Sequence, residues 1–411
     1  MTLHIAPSRG WINDPNGLAY HHGRWHVFYQ HNPAAAVHAN IHWGHTSSAD
    51  LVTWTEHPVA FAPTPGGPDS QGCWSGVYFD PPADDPDALA AAGEHGSAIY
   101  TGVHDGAENT TVCLRRALDA DLLTWSEPEV VAYTPEGVWQ MRDPYLFTVE
   151  GHRYAIVGAG LEGKVPAVLL FDCQDLLHWR YLGPWLTGND PGTEWLGPAE
   201  IWECPQLVLL DGEWVLLVSV WNDHTLGALG YVVLDLDTSG EHPSPTARAG
   251  GYADLAAHAY AAQILPADQR DAQDRPLMLA WIKHPGHPDG GPDAVAGCLS
   301  LPTRLYLADD VLVVWPDGAL DSALADPQTH VLGAGDELEL PWAGRVRFTG
   351  PSTLVGAGLE IPISPTSHDI WVDADIAEVF GPGPATTLRA DEPGWTLRAG
   401  GHVAAEVARL R

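Results

Sequence analysis

Trp11-Ile12-Asn13-Asp14-Pro15-Asn16-Gly17, followed eleven residues after its carboxylate by Trp25, sets a spacing that the chain uses twice more, from Asp143 to Tyr154 and from Glu203 to Trp214. The later acids sit in Arg142-Asp143-Pro144 and Trp202-Glu203-Cys204-Pro205. Between each acid and its aromatic partner lies a glycine turn (Gly23, Gly151, Gly212) flanked by alternating apolar residues, which predicts a β-hairpin. Equivalent hairpins put their acids in equivalent positions, so three carboxylates are expected to converge on the axis that the repeats surround.

Working outward, two further hairpin candidates occur at Ala98-Ile99-Tyr100-Thr101-Gly102-Val103 and Leu277-Met278-Leu279-Ala280-Trp281. The five centres, near 25, 100, 154, 214 and 279, advance by 54 to 75 residues. A second element keeps step about 25 residues later: Asp50-Leu51-Val52-Thr53-Trp54, Asp121-Leu122-Leu123-Thr124-Trp125 and Asp175-Leu176-Leu177-His178-Trp179. Its Asp suits a turn cap and its Trp suits packing between repeats, so it informs the fold and not the chemistry. Five such units predict an all-β chain with a five-bladed β-propeller over residues 1–305. Pro81 to Gly96, rich in Asp, Pro and Ala, reads as a surface loop in the second blade. Beyond Leu305 the strands lose the repeated motif, and residues 306–411 are expected to form a small β-sandwich.

The composition narrows the partners. Lys+Arg number 19 against 53 Asp+Glu, a net charge of −34, and such a surface repels phosphate backbones and anionic lipid. Neither nucleic acid nor membrane is expected as a partner. The 5 cysteines are scattered, with no C-x-x-C spacing, and read as reduced thiols. With the first motif at Trp11 leaving no space for a secretory signal if Met1 is the true start, a cytoplasmic location is expected. The 21 histidines show no helical ligand spacing, and neither metal nor cofactor is expected in the mechanism.

Three clustered carboxylates repel one another, and their pKa values should split so that one member holds a proton. Two carboxylates in different protonation states are what glycoside hydrolysis uses, one as nucleophile and one as acid/base. The proline within two residues of each acid suggests that the acid stands at a strand end facing a funnel. Arg142 would keep its neighbour Asp143 ionised, while Glu203, between Trp202 and Cys204, would carry the proton.

These motifs, in this order, resemble glycoside hydrolase family 32, the family of invertases, inulinases, levanases and sucrose-6-phosphate hydrolases, over about three quarters of the chain. The resemblance implies Asp14 as nucleophile, Asp143 as transition-state stabiliser and Glu203 as acid/base. It extends to Phe28-Tyr29-Gln30-His31-Asn32-Pro33, to His42-Trp43-Gly44-His45, to Trp74-Ser75-Gly76 in place of Phe-Ser-Gly, and to Ala296-Gly297-Cys298-Leu299-Ser300-Leu301-Pro302. Val372-Asp373 to Glu378-Val379-Phe380 is similar to a strand pair of the family's sandwich. Substrate contacts are thereby implied at Asn13, Gln30, Trp43, Trp74, Ser75, Arg142 and Trp281. His38-Ala39-Asn40 replaces the usual Trp-Gly-Asn, so one aromatic wall is either missing or replaced by imidazole, and His258-Ala259-Tyr260-Ala261 replaces Asp-Phe-Tyr-Ala.

The expected activity is that of a retaining β-fructofuranosidase acting on sucrose or a small fructo-oligosaccharide. Sucrose-6-phosphate hydrolysis, exo-cleavage of inulin or levan, and fructosyl transfer stay open. So does a different class, a non-catalytic sugar-binding propeller, which would have no need of a proton donor beside a nucleophile.

Overall fold

The computed structural model describes residues 2–411 apart from 257, 267–274, 285, 288–290, 292, 357 and 365. Regular structure in it is nearly all strand. Four antiparallel meanders of four strands follow one another along the chain. They are β1–β4 (Gly10–His21, Arg24–Asn32, His42–Ser48, Trp54–Glu56), β5–β8 (Gly72–Phe79, Ser97–Val103, Thr110–Arg116, Glu129–Tyr133), β9–β12 (Val138–Val149, His152–Leu161, Val165–Asp172, Arg180–Thr187) and β13–β16 (Ile201–Leu210, Glu213–Asn222, Thr225–Asp237, Ser244–Tyr252). The fifth set, β17–β22, comprises Ala259–Ile264, Leu277–Ile282, Val295–Ala296, Cys298–Leu299, Thr303–Ala308 and Val311–Pro316. In it, β17, β18, β21 and β22 form the sheet, β20 pairs with β18, and β19 pairs in parallel with β1.

The five expected centres fall on second strands: Trp25 on β2, Tyr100 on β6, Tyr154 on β10, Trp214 on β14 and Leu279 on β18. First strands lie side by side in chain order, β1 beside β5, β5 beside β9, β9 beside β13 and β13 beside β17, and β17 returns to β1. Each Asp-Leu-x-x-Trp element occupies the turn between the third and fourth strands of its meander. Its leucine is buried (Leu51, Leu122, Leu176), and Asp50 and Asp175 accept backbone N–H groups just ahead of them. In the second meander Asp119 takes that capping role instead of Asp121.

Pro81 to Gly96 is more than a loop: Pro86–Ala92 is a helix, α1, with Asp85 as its N-cap accepting from Ala88 N. Alanines supply the helix propensity, and Ala88 and Ala92 bury its inner face. Among the described residues no helix is long and apolar enough to cross a membrane.

The C-terminal residues form a six-stranded sheet, ordered 328–332, 403–409, 343–349, 367–373, 376–380, 386–389, and a four-stranded sheet, ordered 337–339, 396–399, 352–356, 359–363. Their inner faces share one core, with Val346, Phe348 and Ile370 on the first sheet meeting Leu354 and Leu397 on the second. The N-terminus is anchored to this region by charge. His4 lies between Asp373 (Nδ1 to Oδ2, 3.1 Å) and Glu378 (Nε2 to Oε1, 2.8 Å). Leu3 N also donates to Asp373, and Leu301 N to Glu378. Burial acts against a charged His4, but its bonds to Asp373 and Glu378 prevail and raise its pKa to about 9.

Candidate active site

One cavity of about 660 Å³ opens where the first strands come together, and Asp14, Asp143 and Glu203 all line it. Their positions have a common cause. In every first strand the pairing with the second strand slips beside the cavity: at Asn13-Asp14, Trp74-Ser75, Asp143, Cys204-Pro205 and Ala261-Ala262. Such bulges leave residues unpaired and re-aim their side chains. Asp143 and Cys204 have positive φ, 65° and 49°, a conformation uncommon outside glycine and concentrated at functional sites. The acids thus stand within long strands and not at strand ends as the prolines suggest, because the ladder resumes beyond each bulge.

Asp14 is buried in donors. Oδ2 accepts from Ser75 Oγ (2.6 Å) and Gln30 Nε2 (3.1 Å), and Oδ1 accepts from Asn13 Nδ2 (3.0 Å). Asn13 is itself held by Trp11 Nε1 at 2.7 Å. Burial raises the pKa of Asp14 to about 6, with the Ser75 and Asn13 bonds opposing the rise and the charge of Glu203 adding to it. Asp143 Oδ2 accepts from Cys204 N (3.0 Å) and lies 3.4 Å from Cys204 Sγ, which is also 3.7 Å from Asp14 Oδ2. That thiol is protonated, since burial and the adjacent acids push it well above its ordinary value, and it stands between the two aspartates with one weak S–H donor for which they are the alternative acceptors.

Arg142 does not pair with its neighbour Asp143. Arg142 Nε instead donates to Glu203 Oε1 at 2.7 Å while Nη1 holds Gln140 Oε1 at 2.5 Å. Burial and the charge of Glu203 therefore outweigh Arg142 and raise Asp143 to about 7, contrary to the expectation that it stays fully ionised. The other oxygen of Glu203 accepts the Tyr260 hydroxyl, which burial keeps protonated. Tyr260 is the principal residue that the sequence reading missed as a site residue. Its signal is the Tyr-Ala pair at 260–261, at the bulge of the fifth first strand.

Asn13, Gln30, Trp74, Arg142 and Trp281 line the cavity with the acids, and Ser75 reaches it through Asp14. Trp43 does not. It is fully buried, stacked on Phe61 at 4.9 Å, with its indole N–H donating to the Trp74 carbonyl, so the expected sugar contact gives way to a packing role behind Trp74. Trp281 packs edge-on to Trp11 at 5.7 Å, and its Nε1 is buried without a hydrogen-bond partner. Gly297 (φ +90°) permits this: a Cβ there would lie 2.2 Å from Ile12 O and 2.9 Å from Trp281 Nε1. His38 lines the cavity with its ring 6.1 Å from both Trp11 and Trp74, and desolvation between those rings, partly opposed by the charge of Glu203, lowers its pKa.

At the cavity's outer part, Trp139 and Trp221 stand 6.3 Å apart, tilted by 56°. Trp139 Nε1 donates to Glu108 (3.1 Å), and Lys164 lies over the Trp139 ring (5.3 Å) while paired with Glu200 at 2.8 Å.

The family model described as "Glycosyl hydrolases family 32 N-terminal domain" matches residues 4–316. A sucrose-6-phosphate hydrolase of Bacillus subtilis is 32% identical over 330 residues, 76% of this chain and 64% of that protein. A raffinose invertase of Escherichia coli is 30% identical, over 78% of this chain and 65% of its own length. This chain thus spans just under two thirds of the length of these relatives. A solved family 32 beta-fructofuranosidase of Bombyx mori superposes with a TM-score of 0.79 at 22% identity, covering 99% of this chain and 93% of that one, a likeness of fold.

Proposed function

The chain belongs to glycosyl hydrolases family 32, and on that premise we propose that it is a retaining β-fructofuranosidase whose leaving group is a neutral sugar. The observation that carries this reading is the convergence of Asp14, Asp143 and Glu203, each from a different meander, on one cavity. Asp14 attacks the anomeric carbon of the fructosyl unit while Glu203 passes a proton to the departing glycosidic oxygen. Glu203, now a carboxylate, then takes a proton from water, whose oxygen attacks the same carbon and frees Asp14. Arg142 and Tyr260 fix the Glu203 carboxyl, and Asn13, Gln30 and Ser75 fix that of Asp14. Asp143 commits Oδ2 to Cys204 and uses Oδ1 for sugar hydroxyls.

The fold reading that accompanies this is a five-bladed propeller followed by a β-sandwich. The cyclic neighbourhood of the first strands and the pairing of β19 with β1 support the closed ring, and the two C-terminal sheets with their shared core support the sandwich. The first unit keeps its fifth sheet through β22 to Pro316, somewhat beyond the loss of the sequence motif near 305.

The leaving-group preference rests on the rim. A phosphate there would meet Glu108 and Glu200, and the cation beside them, Lys164, is already paired. Phosphate sites favour open Arg or Lys donors, whereas the paired indoles of Trp139 and Trp221 suit the apolar face of a neutral hexose. The test is fructose release from sucrose, raffinose, sucrose 6-phosphate, inulin and levan, with Asp14→Asn as blank. Turnover of sucrose or raffinose ahead of the phosphorylated sugar is expected. A preference for sucrose 6-phosphate would overturn the leaving-group assignment, and release by Asp14→Asn at the unmutated rate would overturn the mechanism.

A further inference from the structure

Far from the cavity, the outer end of β1 brings three imidazoles together. His21 is the last residue of β1, His22 lies in the turn to β2 with φ 47°, and His95 lies in the segment between α1 and β6. One ring nitrogen from each lies within 4.8 Å of the other two. We propose that His21, His22 and His95 form a binding site for a borderline divalent transition metal, Zn²⁺ or Ni²⁺, that ties the first meander to the second.

The inner ligand is prepared for this role. His21 is only 8% exposed, and its Nε2 is buried with no hydrogen-bond partner, a condition that costs free energy unless something occupies the lone pair. The tautomer follows from its neighbour. The Tyr78 hydroxyl donates its one proton to the His95 carbonyl (2.7 Å), so toward His21 Nδ1, at 3.5 Å, it serves as acceptor. Asp80 Oδ2, 4.0 Å from the same Nδ1, favours the same arrangement. The proton therefore belongs on Nδ1, leaving the Nε2 lone pair free, which is the outer-shell pattern of metal-bound histidine.

The geometry needs modest closure. Metal–nitrogen bonds near 2.0–2.1 Å in a tetrahedral site put ligand nitrogens about 3.4 Å apart. His22 is exposed and His95 half-buried, both on turns, and can supply that movement without disturbing the buried ring. Gly96 (φ +76°) lets the His95 segment lie against Tyr78, since a Cβ there would sit 2.5 Å from the Tyr78 hydroxyl. Three imidazoles and a water complete a four-coordinate site, and the net charge of −34 favours cation uptake. Oxygen-seeking Ca²⁺ or Mg²⁺ has no suitable donor set here.

The test titrates the chelator-treated full chain with Zn²⁺ and Ni²⁺ by calorimetry and with Co²⁺ by visible absorption. Wild type should bind one equivalent, give the absorption of nitrogen-ligated Co²⁺, and melt at higher temperature with metal present. His22→Ala and His95→Ala, chosen because neither side chain is in the core, should each weaken binding tenfold or more and abolish the thermal shift while fructoside turnover is unchanged. Absence of a stoichiometric site in wild type, or binding that both variants retain, would overturn the proposal.

Discussion

Two of the buried clusters of charge in this molecule are built to opposite rules. In the anchor between the N-terminus and the C-terminal sheets, His4 faces Asp373 and Glu378, and those bonds, overcoming burial, raise His4 to about 9 while the His4 bond lowers Asp373. In the cavity, the one guanidinium pairs with Glu203 alone of the three carboxylates, and burial lifts Asp14 to about 6 and Asp143 to about 7. The first cluster is stabilised by its own partners. The second retains repulsion that a protonated group, a substrate or a transition state can relieve, the usual condition of an active site.

The sharpest break of the comparison is in the cavity. Asp14→Asn and Glu203→Gln should each lower kcat by about 10²–10⁴-fold or more in a fructose-release assay, with unfolding midpoints no lower than wild type. The anchor should respond the other way. His4→Ala strands two buried carboxylates and should cost about 3–5 kcal/mol in denaturant unfolding, with kcat of the folded protein nearly unchanged.

Asp143→Asn sharpens the contrast further: activity falls, yet stability at pH 7.5 should rise by about 0.5–2 kcal/mol. The sign follows from proton linkage. Asp14 and Asp143 hold protons in the fold at pH values where the unfolded chain has lost them, so their contribution is complete below about pH 4 and disappears as pH rises through 6 to 7. His4 contributes below 6.5 and loses its effect as pH rises through about 9. Melting curves against pH should therefore show two separate declines, the first shallower in Asp143→Asn and the second absent in His4→Ala. The smallest effect is expected at the rim. Trp139→Ala should raise KM for sucrose by about 5–10-fold, the scale of a lost aromatic contact, without altering stability of the anchor.

Much of this contrast was legible from residue order. The eleven-residue spacing located three of the five second strands and all three acids, because hairpin length and alternation are local properties. The bulges were not legible. A slip in register at Asn13-Asp14 or Asp143 is defined only against the partner strand, and the prolines that accompany it read equally well as strand ends. The partner of Arg142 was missed for the same reason: sequence puts Asp143 beside it, whereas the ring of first strands brings Glu203, 61 residues later, to its guanidinium. Trp43 read as a pocket residue because of the motif it belongs to, and its own burial depends on Phe61, which lies outside that motif and bridges to it. The anchor joins residues 369 and 374 positions apart and carried no local signal at all.

The central claim is a covalent fructosyl ester on Asp14. Acid quenching during steady turnover, followed by peptide mass mapping, should find one anhydrofructose unit on the peptide containing Asp14, with accumulation increased in Glu203→Gln supplied with a fructoside whose leaving group needs no proton. An unmodified Asp14 under those conditions, or a label on Asp143 or Glu203, would contradict the account.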